Sequence, residues 1–124
     1  MIAADTSSLI AFFAGEAGSD VVAVDRALQE WQLVLPPVVL TEMLSDARGS
    51  ATLGAHLKGM PLLELQPTFW SRAGELRAKV LARGHKSRVA DALIAQSCID
   101  HGVRLITRDR DFRHYVRMGG LRLV

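Results

Sequence analysis

Short apolar runs alternate with amphipathic stretches along this chain. Five of the runs have the length and the flanking turn residues of buried strands. They are Ile2–Ala4, Leu33–Leu35, Leu62–Leu65, Val103–Thr107 and Leu121–Val124. Helical spacing, early prolines and terminal glycines predict helices between them. These cover Ser7–Ala14, Ser19 to about Gln32, Val38 to about Arg48, Ala51–Lys58, Thr68 to Gly84, Val89–His101 and Phe112–Met118. Strands that alternate with helices predict a mostly parallel sheet covered by helices.

Composition is that of one globular domain over residues 1–124, with 49% hydrophobic and 23% charged residues. No apolar run approaches the roughly 20 residues of a membrane span, and the N-terminus lacks the features of a secretory signal. We therefore expect a cytoplasmic protein without membrane contact. Cys98 is the single cysteine, which excludes an internal disulfide, and we expect it to be a small core residue.

Charge is divided unevenly along the chain. Residues 1–71 carry 3 basic and 8 acidic side chains, whereas residues 72–124 carry 12 basic and 5 acidic ones. Two of those five acids are Asp91 and Asp109. If a cation neutralises them, the C-terminal half presents an almost purely basic surface, as expected of a protein that binds a phosphate backbone. A basic solvated helix face is the simpler interpretation of the same residues.

Four acids stand where a solvent-facing charge is unusual: Asp5, Glu42, Asp91 and Asp109. Asp5 and Asp109 follow predicted strands, whereas Glu42 and Asp91 lie in helices among apolar or small residues. In an open α/β sheet the crevice beyond the carboxyl ends of the strands binds ligands, so these acids can converge there. Convergent carboxylates repel one another, and we therefore expect a metal-binding site.

Each acid also has a structural explanation. Asp5 could cap the first helix, and Ser7 could do so equally well. Glu42 could lie at the rim of an apolar stripe, and Asp91 could interact with the dipole of its helix. Asp109 could belong to a salt-bridged loop. The four together favour a functional site over these separate explanations.

The motifs around these acids give the chain a family resemblance. They are Asp5-Thr6-Ser7, Glu42 after Pro37–Thr41, Asp91 within Ala90–Ala95, and Thr107-Arg108-Asp109-Arg110-Asp111-Phe112. In this order and spacing the chain resembles the PIN-domain ribonucleases, specifically the small VapC-type toxins of toxin–antitoxin modules. The resemblance implies a three-layer α/β/α fold, a divalent-metal site and hydrolysis of RNA phosphodiester bonds. One departure is Lys86-Ser87-Arg88-Val89 before Asp91, where an apolar-Pro pair is frequent.

Carried over to this sequence, the resemblance makes Asp5, Glu42, Asp91 and Asp109 the catalytic metal-binding acids, with Asp111 as a fifth candidate ligand. Carboxylate oxygens favour Mg²⁺ or Mn²⁺, and four acids could hold one ion or two. Glu42 is either a ligand or a base that orients water. Hydroxyl groups that could orient carboxylates or waters belong to Thr6, Ser7 and Thr107. Basic residues that could meet RNA phosphates are Arg108, Arg110, Arg113, Lys86 and Arg88.

Partners are implied mainly by the resemblance. The implied substrate is structured RNA, such as transfer RNA. The implied protein partners are a small cognate antitoxin and a second copy of the chain, in a homodimer or a larger toxin–antitoxin complex. Apolar residues that could line an antitoxin groove are Leu9, Phe12, Phe13, Leu53 and Leu57, although core burial is the simpler interpretation for most of them. Trp70 and Phe112 are predicted as core residues.

Other functional classes fit the sequence less well. A haloacid-dehalogenase phosphatase requires a second Asp two residues after Asp5, where this chain has Ser7. A receiver domain requires a phosphoacceptor Asp on a central strand, and we identify none in this sequence. No glycine motif for nucleotide binding is present either. A catalytically silent RNA-binding or scaffold domain of the same fold is the main alternative.

Overall fold

The computed structural model describes residues 1–46 and 49–124. Three strands form its sheet: β1 (Ile2–Ala4), β2 (Leu33–Val34) and β3 (Arg104–Ile106). The order is β2-β1-β3, and both pairings are parallel, with Ile2 opposite Leu33 and Ala3 opposite Leu105. The described residues form seven α-helices: α1 (Thr6–Phe13), α2 (Ser19–Gln29), α3 (Pro37–Leu44), α4 (Ala51–Lys58), α5 (Phe69–Ala82), α6 (Val89–His101) and α7 (Arg113–Gly119). A 3-10 turn, Arg110–Phe112, precedes α7. These helices flank the sheet, which confirms the α/β/α prediction.

The predicted strands at Leu62–Leu65 and Leu121–Val124 are wrong in extent. Each is reduced to a single parallel bridge, Leu62 with Leu35 and Leu123 with Leu105. The reason lies in the short partner strands. Proline at 36 and 37 turns the chain into α3 directly after Leu35, and β3 offers only three residues for pairing.

Several predicted helix ends also shift. Helix α2 ends at Gln29 because Trp31 adopts a left-handed backbone conformation, φ 56°, and turns the chain toward β2. Ser19 is the first residue of α2, and Gly18 holds the cap position. Helix α3 ends at Leu44, and its predicted extension over residues 47–48 lies outside the described residues. Helices α4 and α6 have their predicted bounds.

The core lies between the sheet and the helices. The predicted apolar face of α5, namely Phe69, Ala73, Leu76 and Val80, is buried. Cys98 and Phe112 are also buried as predicted, whereas Trp70 is 62% exposed, so its predicted place in the core is wrong. None of the helices in the described parts of the chain has the length and apolarity needed to span a membrane.

Candidate active site

The strand order brings three predicted site segments to one edge of the sheet. Asp5 follows β1 in the centre, Thr107 and Asp109 follow β3 beside it, and α3 with Glu42 follows β2 on the other side. The chain passes from β1 to β2 on one side and later to β3 on the other. The order therefore reverses at β1, which is where ligands bind in open parallel sheets.

Asp5 is the most constrained of the four acids, with only 3% of its surface exposed. Its Oδ1 accepts the backbone N–H of Ser8 at 3.0 Å, so it does cap α1. The Ser7 hydroxyl donates to both carboxylate oxygens at 2.9 Å, and the Thr107 hydroxyl donates to Oδ2 at 2.6 Å. Asp5 therefore caps α1 and is also hydrogen-bonded, through Thr107, to the end of β3. The helix cap and the predicted site residue are the same carboxylate.

The surroundings of Asp5 disfavour its charge. Burial raises the pKa of Asp5, three hydrogen bonds partly oppose that rise, and the charge of Asp109 raises it further. Burial and the nearby charge of Asp5 likewise raise the pKa of the Cys98 thiol to about 12, so Cys98 is a protonated core residue. A cation beside Asp5 would relieve this electrostatic cost.

Asp91 lies in the first turn of α6 and is 4% exposed. Its Oδ2 accepts the backbone N–H of Arg88 at 3.2 Å, and the Arg88 guanidinium lies 3.5 Å from Oδ1. Burial raises the pKa of Asp91, contacts with Arg88 lower it, and the charge of Asp109 raises it. Asp5 and Asp91 therefore both interact electrostatically with Asp109.

Glu42 is half-buried on α3, and its Oε1 accepts the hydroxyl of Thr6 at 2.7 Å. Thr6 is the first residue of α1, directly after Asp5. This hydrogen bond joins α1 to α3 and holds the Glu42 carboxylate toward the edge of the sheet that carries Asp5.

The two acids of the last motif differ in their surroundings. Asp109 is half-buried, and its Oδ1 accepts the backbone N–H of Asp111 at 2.9 Å, which caps the 3-10 turn. Its own N–H donates to the Thr107 hydroxyl oxygen at 3.0 Å. Asp111 is exposed. Asp109 therefore fits the site better than Asp111.

As the side chains stand, no three Asp, Glu, His or Cys residues within 1–46 and 49–124 come close enough to hold a metal ion together. The donor set nevertheless suits a hard divalent cation, since it consists of carboxylates with hydroxyl groups that orient them. Burial raises the pKa of Asp5 and of Asp91, and the charge of Asp109 adds to both rises, so a bound cation would offset the repulsion among these carboxylates.

The predicted phosphate-binding residues fall into two groups. Lys86, Arg110 and Arg113 are exposed and make no ion pair with any side chain in the described ranges. Arg88 and Arg108 are engaged instead, Arg88 with Asp91 and Arg108 with Asp20 and Glu16. Only the first group is available to a substrate without breaking a contact.

Two residues of the surrounding network were missed from the sequence, Ser8 and Asp20. Ser8 donates its N–H to Asp5 and its hydroxyl to Asp20 at 2.9 Å. Asp20 also accepts the Arg108 guanidinium, 88 positions away in the chain. No local pattern could reveal this contact, because Asp20 looks like an ordinary acidic residue in the first turn of α2.

Comparison with known proteins agrees with this geometry. The model of the PIN domain family matches residues 2–118. The chain is 31% identical over 128 aligned residues to the VapC ribonuclease Mb1587 of Mycobacterium bovis, covering 98% of this chain and 96% of the relative. The same identity and coverage relate it to ribonuclease VapC11 of Mycobacterium tuberculosis. The acids beyond the carboxyl ends of a parallel sheet, and a match over nearly the whole length, give one conclusion: this chain belongs to the PIN domain family.

Proposed function

We propose that this chain is a metal-dependent endoribonuclease and the toxin of a toxin–antitoxin module. The observation that carries the proposal is the buried Asp5 carboxylate, which is hydrogen-bonded across the β1–β3 switch point and lies within the field of Asp109. The whole-length similarity to proteins named VapC ribonucleases supports both the reaction and the biological role.

The proposed cofactor is Mg²⁺ or Mn²⁺, as one ion or two. When bound, the cation would activate water and stabilise the charge that develops on the scissile phosphate. Asp5 and Asp91 are the proposed principal ligands. Glu42 is the proposed ligand or water-orienting base, and Asp109 the proposed ligand through water. Thr107 and Ser7 hold Asp5 in place, while Thr6 holds Glu42.

The proposed substrate is structured RNA, with transfer RNA among the candidates. Arg110 and Arg113 lie on the segment that follows Asp109, and both are exposed and without ion pairs in the described ranges. They can meet the phosphates beside the scissile bond. Lys86 lies just before α6 and adds positive charge near Asp91.

A groove lies between α2 and α4. It is mainly apolar, has a volume of about 600 Å³ and is lined in part by Phe13, Trp31, Leu57 and Met60. Of the residues predicted for such a groove, Leu9 and Leu57 are core residues at 0% and 1% exposure, Phe12 and Leu53 are half-buried, and Phe13 is exposed. We propose that an apolar segment of the antitoxin binds here.

We also propose that the chain forms a homodimer in the cytoplasm. Trp70 on α5 is exposed beside a cleft formed by α3, α5 and α6. An exposed tryptophan is a common anchor of protein interfaces, which supports association through this face.

RNA cleavage tests the proposed function. The wild-type protein and an Asp5→Asn/Asp91→Asn variant are incubated with total cellular RNA in Mg²⁺, in Mn²⁺ and in EDTA. We expect discrete fragments from the wild type that require metal and disappear in the variant. Attack by water leaves no 2′,3′-cyclic phosphate, so fragment ends distinguish this reaction from that of a contaminating metal-independent ribonuclease. Folded, metal-loaded wild type that cleaves no RNA would favour the silent binding domain instead.

A further inference from the structure

Arg108 lies between two site residues, yet its side chain is directed away from the site. Thr107 before it and Asp109 after it both belong to the acidic edge of the sheet. The Arg108 guanidinium instead reaches Asp20 on α2, with Nε–Oδ2 at 2.8 Å and Nη2–Oδ1 at 3.1 Å. It also donates to the Ala17 carbonyl oxygen at 3.2 Å. The two-point contact fixes both the position and the orientation of the guanidinium.

The Asp20 carboxylate accepts this guanidinium through both oxygens and is itself largely buried. Its side chain is 10% exposed, and its Oδ2 also accepts the Ser8 hydroxyl. The hydrogen bonds from Arg108 hold the pKa of Asp20 below its ordinary value, so the carboxylate is charged at neutral pH. Through Ser8, which donates to Asp5, the pair is connected to the site itself.

Gly18 provides an independent indication that the backbone accommodates the pair. Its φ is +150°, and a Cβ atom at this position would lie 2.5 Å from Asp20 Oδ1 and 3.0 Å from Arg108 Nη2. A side chain at position 18 would therefore require the Asp20 carboxylate to shift, so glycine leaves the ion pair the space that it occupies.

The alternative place for the Arg108 guanidinium is among the site carboxylates. The hydrogen bond to Asp20 is the main cause that raises the pKa of Arg108, and the charge of Asp5 also raises it, so Asp5 lies within electrostatic range of this guanidinium. Arg108 stands between Thr107, whose hydroxyl donates to Asp5, and Asp109, so a guanidinium released from α2 would be free beside these acids. A guanidinium binds carboxylates strongly. It would then neutralise the groups that are proposed to hold the cation.

We propose that Asp20 is a positioning residue that retains Arg108 on α2 and thereby keeps the Asp5 and Asp109 carboxylates free for the divalent cation. The inference rests on the proposed function, because it assumes that the cation binds these acids. It also reassigns Arg108, which the sequence predicts as a phosphate contact, to an internal ion pair.

Calorimetric titration with Mn²⁺ alone, in the absence of RNA, tests this role. We expect Asp20→Asn to raise the dissociation constant for Mn²⁺ about tenfold, within the range for residues that support metal ligands. Adding Arg108→Gln should restore the affinity to within about twofold of wild type, because the competing charge is gone. Asp20→Glu should retain most of the affinity. Arg108→Gln alone should bind Mn²⁺ as tightly as wild type or more tightly, which keeps the test decisive if Asp20→Asn does not fold.

A matched ion pair supplies the control. Arg72 contacts Asp100 through both nitrogens at the end of α6 opposite Asp91, and the exposures of the two side chains, 36% and 15%, resemble the 34% and 10% of Arg108 and Asp20. Asp100→Asn should leave Mn²⁺ affinity unchanged. Equal affinities of Asp20→Asn and Asp100→Asn, a loss that Arg108→Gln does not rescue, or a tenfold loss in Arg108→Gln alone would each overturn the inference. Wild type that neither binds Mn²⁺ nor cleaves RNA would instead overturn the proposed function.

Discussion

At the scale of single residues, the site is organised around two buried carboxylates that the metal-free fold holds at an electrostatic cost. Asp5 is held by hydrogen bonds from Ser7, Ser8 and Thr107, and Asp91 by contacts with Arg88. Burial outweighs these bonds, since the pKa of each carboxyl is raised. Groups that destabilise the free protein and suit a cation indicate a site maintained for function.

The stability of the metal-free protein should reveal this cost through its pH dependence. The folded-state pKa values of Asp5 and Asp91 are raised above the ordinary 3.8, so the folded state binds protons more tightly than the unfolded state. The free energy of unfolding therefore falls as pH rises from 3.8 through the raised folded-state pKa values. The Asp5→Asn/Asp91→Asn variant lacks the effect. In EDTA, its gain in Tm over wild type should be largest near neutral pH and shrink as pH falls toward 4.

Asp20 and Asp100 do not obscure that measurement. Hydrogen bonds from arginine lower their pKa values, so the stability they contribute is lost only as pH falls below 3.8. A gain in Tm that is the same at every pH between 4 and 8 would contradict the account of the buried carboxylates.

Thr107 is the residue whose loss should affect the site most without removing a charge. Thr107→Val keeps the shape but removes the donor to Asp5 and the acceptor for the Asp109 N–H. We expect RNA cleavage to fall about 10- to 100-fold, as for other residues that orient metal ligands, and the protein to lose about 1–3 kcal/mol of stability. Thr68→Val is the control, since it removes an exposed contact with Arg72 remote from the acids. Equal activities of the two variants would exclude the role assigned to Thr107.

The individual acids could be predicted from the sequence because each follows a strand or stands among apolar residues. Their fine contacts could not. Asp20 and Arg108 meet only because α2 and the segment after β3 lie side by side in the fold, which is a tertiary property. The prediction of Trp70 as a core residue is wrong because Trp70 is next to the buried Phe69 in sequence but lies on a different face of α5. Its side chain is directed to solvent.

At the scale of elements, helices α5, α6 and α7 pack closely at one glycine. A Cβ atom on Gly119, the last residue of α7, would lie 2.9 Å from Ile99 Cδ1 and 3.0 Å from Leu76 Cδ1. Gly74, in the exposed face of α5, has no atom within 4 Å of such a position. The close approach at Gly119 seats α7 against the two helices and so fixes the segment that begins at Asp109.

These two glycines give opposite expectations. Gly119→Ala should destabilise the protein by about 1–3 kcal/mol through overpacking, whereas Gly74→Ala should stabilise it by about 0.5–1 kcal/mol by favouring the helix. Urea unfolding followed by circular dichroism measures both. A stabilising Gly119→Ala would contradict the packing described for α7.

Element type was more predictable than element length. Helical spacing, early prolines and terminal glycines predict each of the seven α-helices found in residues 1–46 and 49–124. Helix α6 has the bounds expected from its apolar face and Gly102. Strand lengths were overestimated at Leu62 and Leu121 because pairing depends on the partner strand, which a single segment cannot report. Helix α2 is shorter than predicted because Trp31 turns the chain. The sequence does not predict this turn, since a left-handed tryptophan has no local sequence signature.

At the scale of the whole molecule, the division of charge separates two surfaces. Residues 72–124 supply most of the positive charge, including Lys86, Arg110 and Arg113. These three make no ion pair within residues 1–46 and 49–124, and they lie close in sequence to Asp91 and Asp109. The apolar groove with Trp31 lies in the acidic half. RNA and antitoxin are thereby proposed to use different surfaces on the same small domain.

RNA affinity should therefore depend on salt through the basic half. Each phosphate contact contributes about 0.7 to 0.9 to the magnitude of the slope of log affinity against log salt, from single strand to duplex, so Arg110→Ala/Arg113→Ala should lower that magnitude by about 1.4 to 1.8. Arg26→Ala/Lys58→Ala, in the acidic half, should leave it unchanged. The measurement uses the catalytically inactive Asp5→Asn/Asp91→Asn background. An equal decrease in both pairs would show that RNA is not confined to the basic half.

The most direct test of the central claim is Mn²⁺ binding to the acids themselves, measured by calorimetry without RNA. The account predicts saturable binding of one or two ions to the wild type and to an Asp25→Asn control, whose exposed carboxylate lies on α2. It predicts no saturable binding to Asp5→Asn/Asp91→Asn. Equal Mn²⁺ affinity of the wild type and the double variant would contradict the assignment of these buried carboxylates as the metal site.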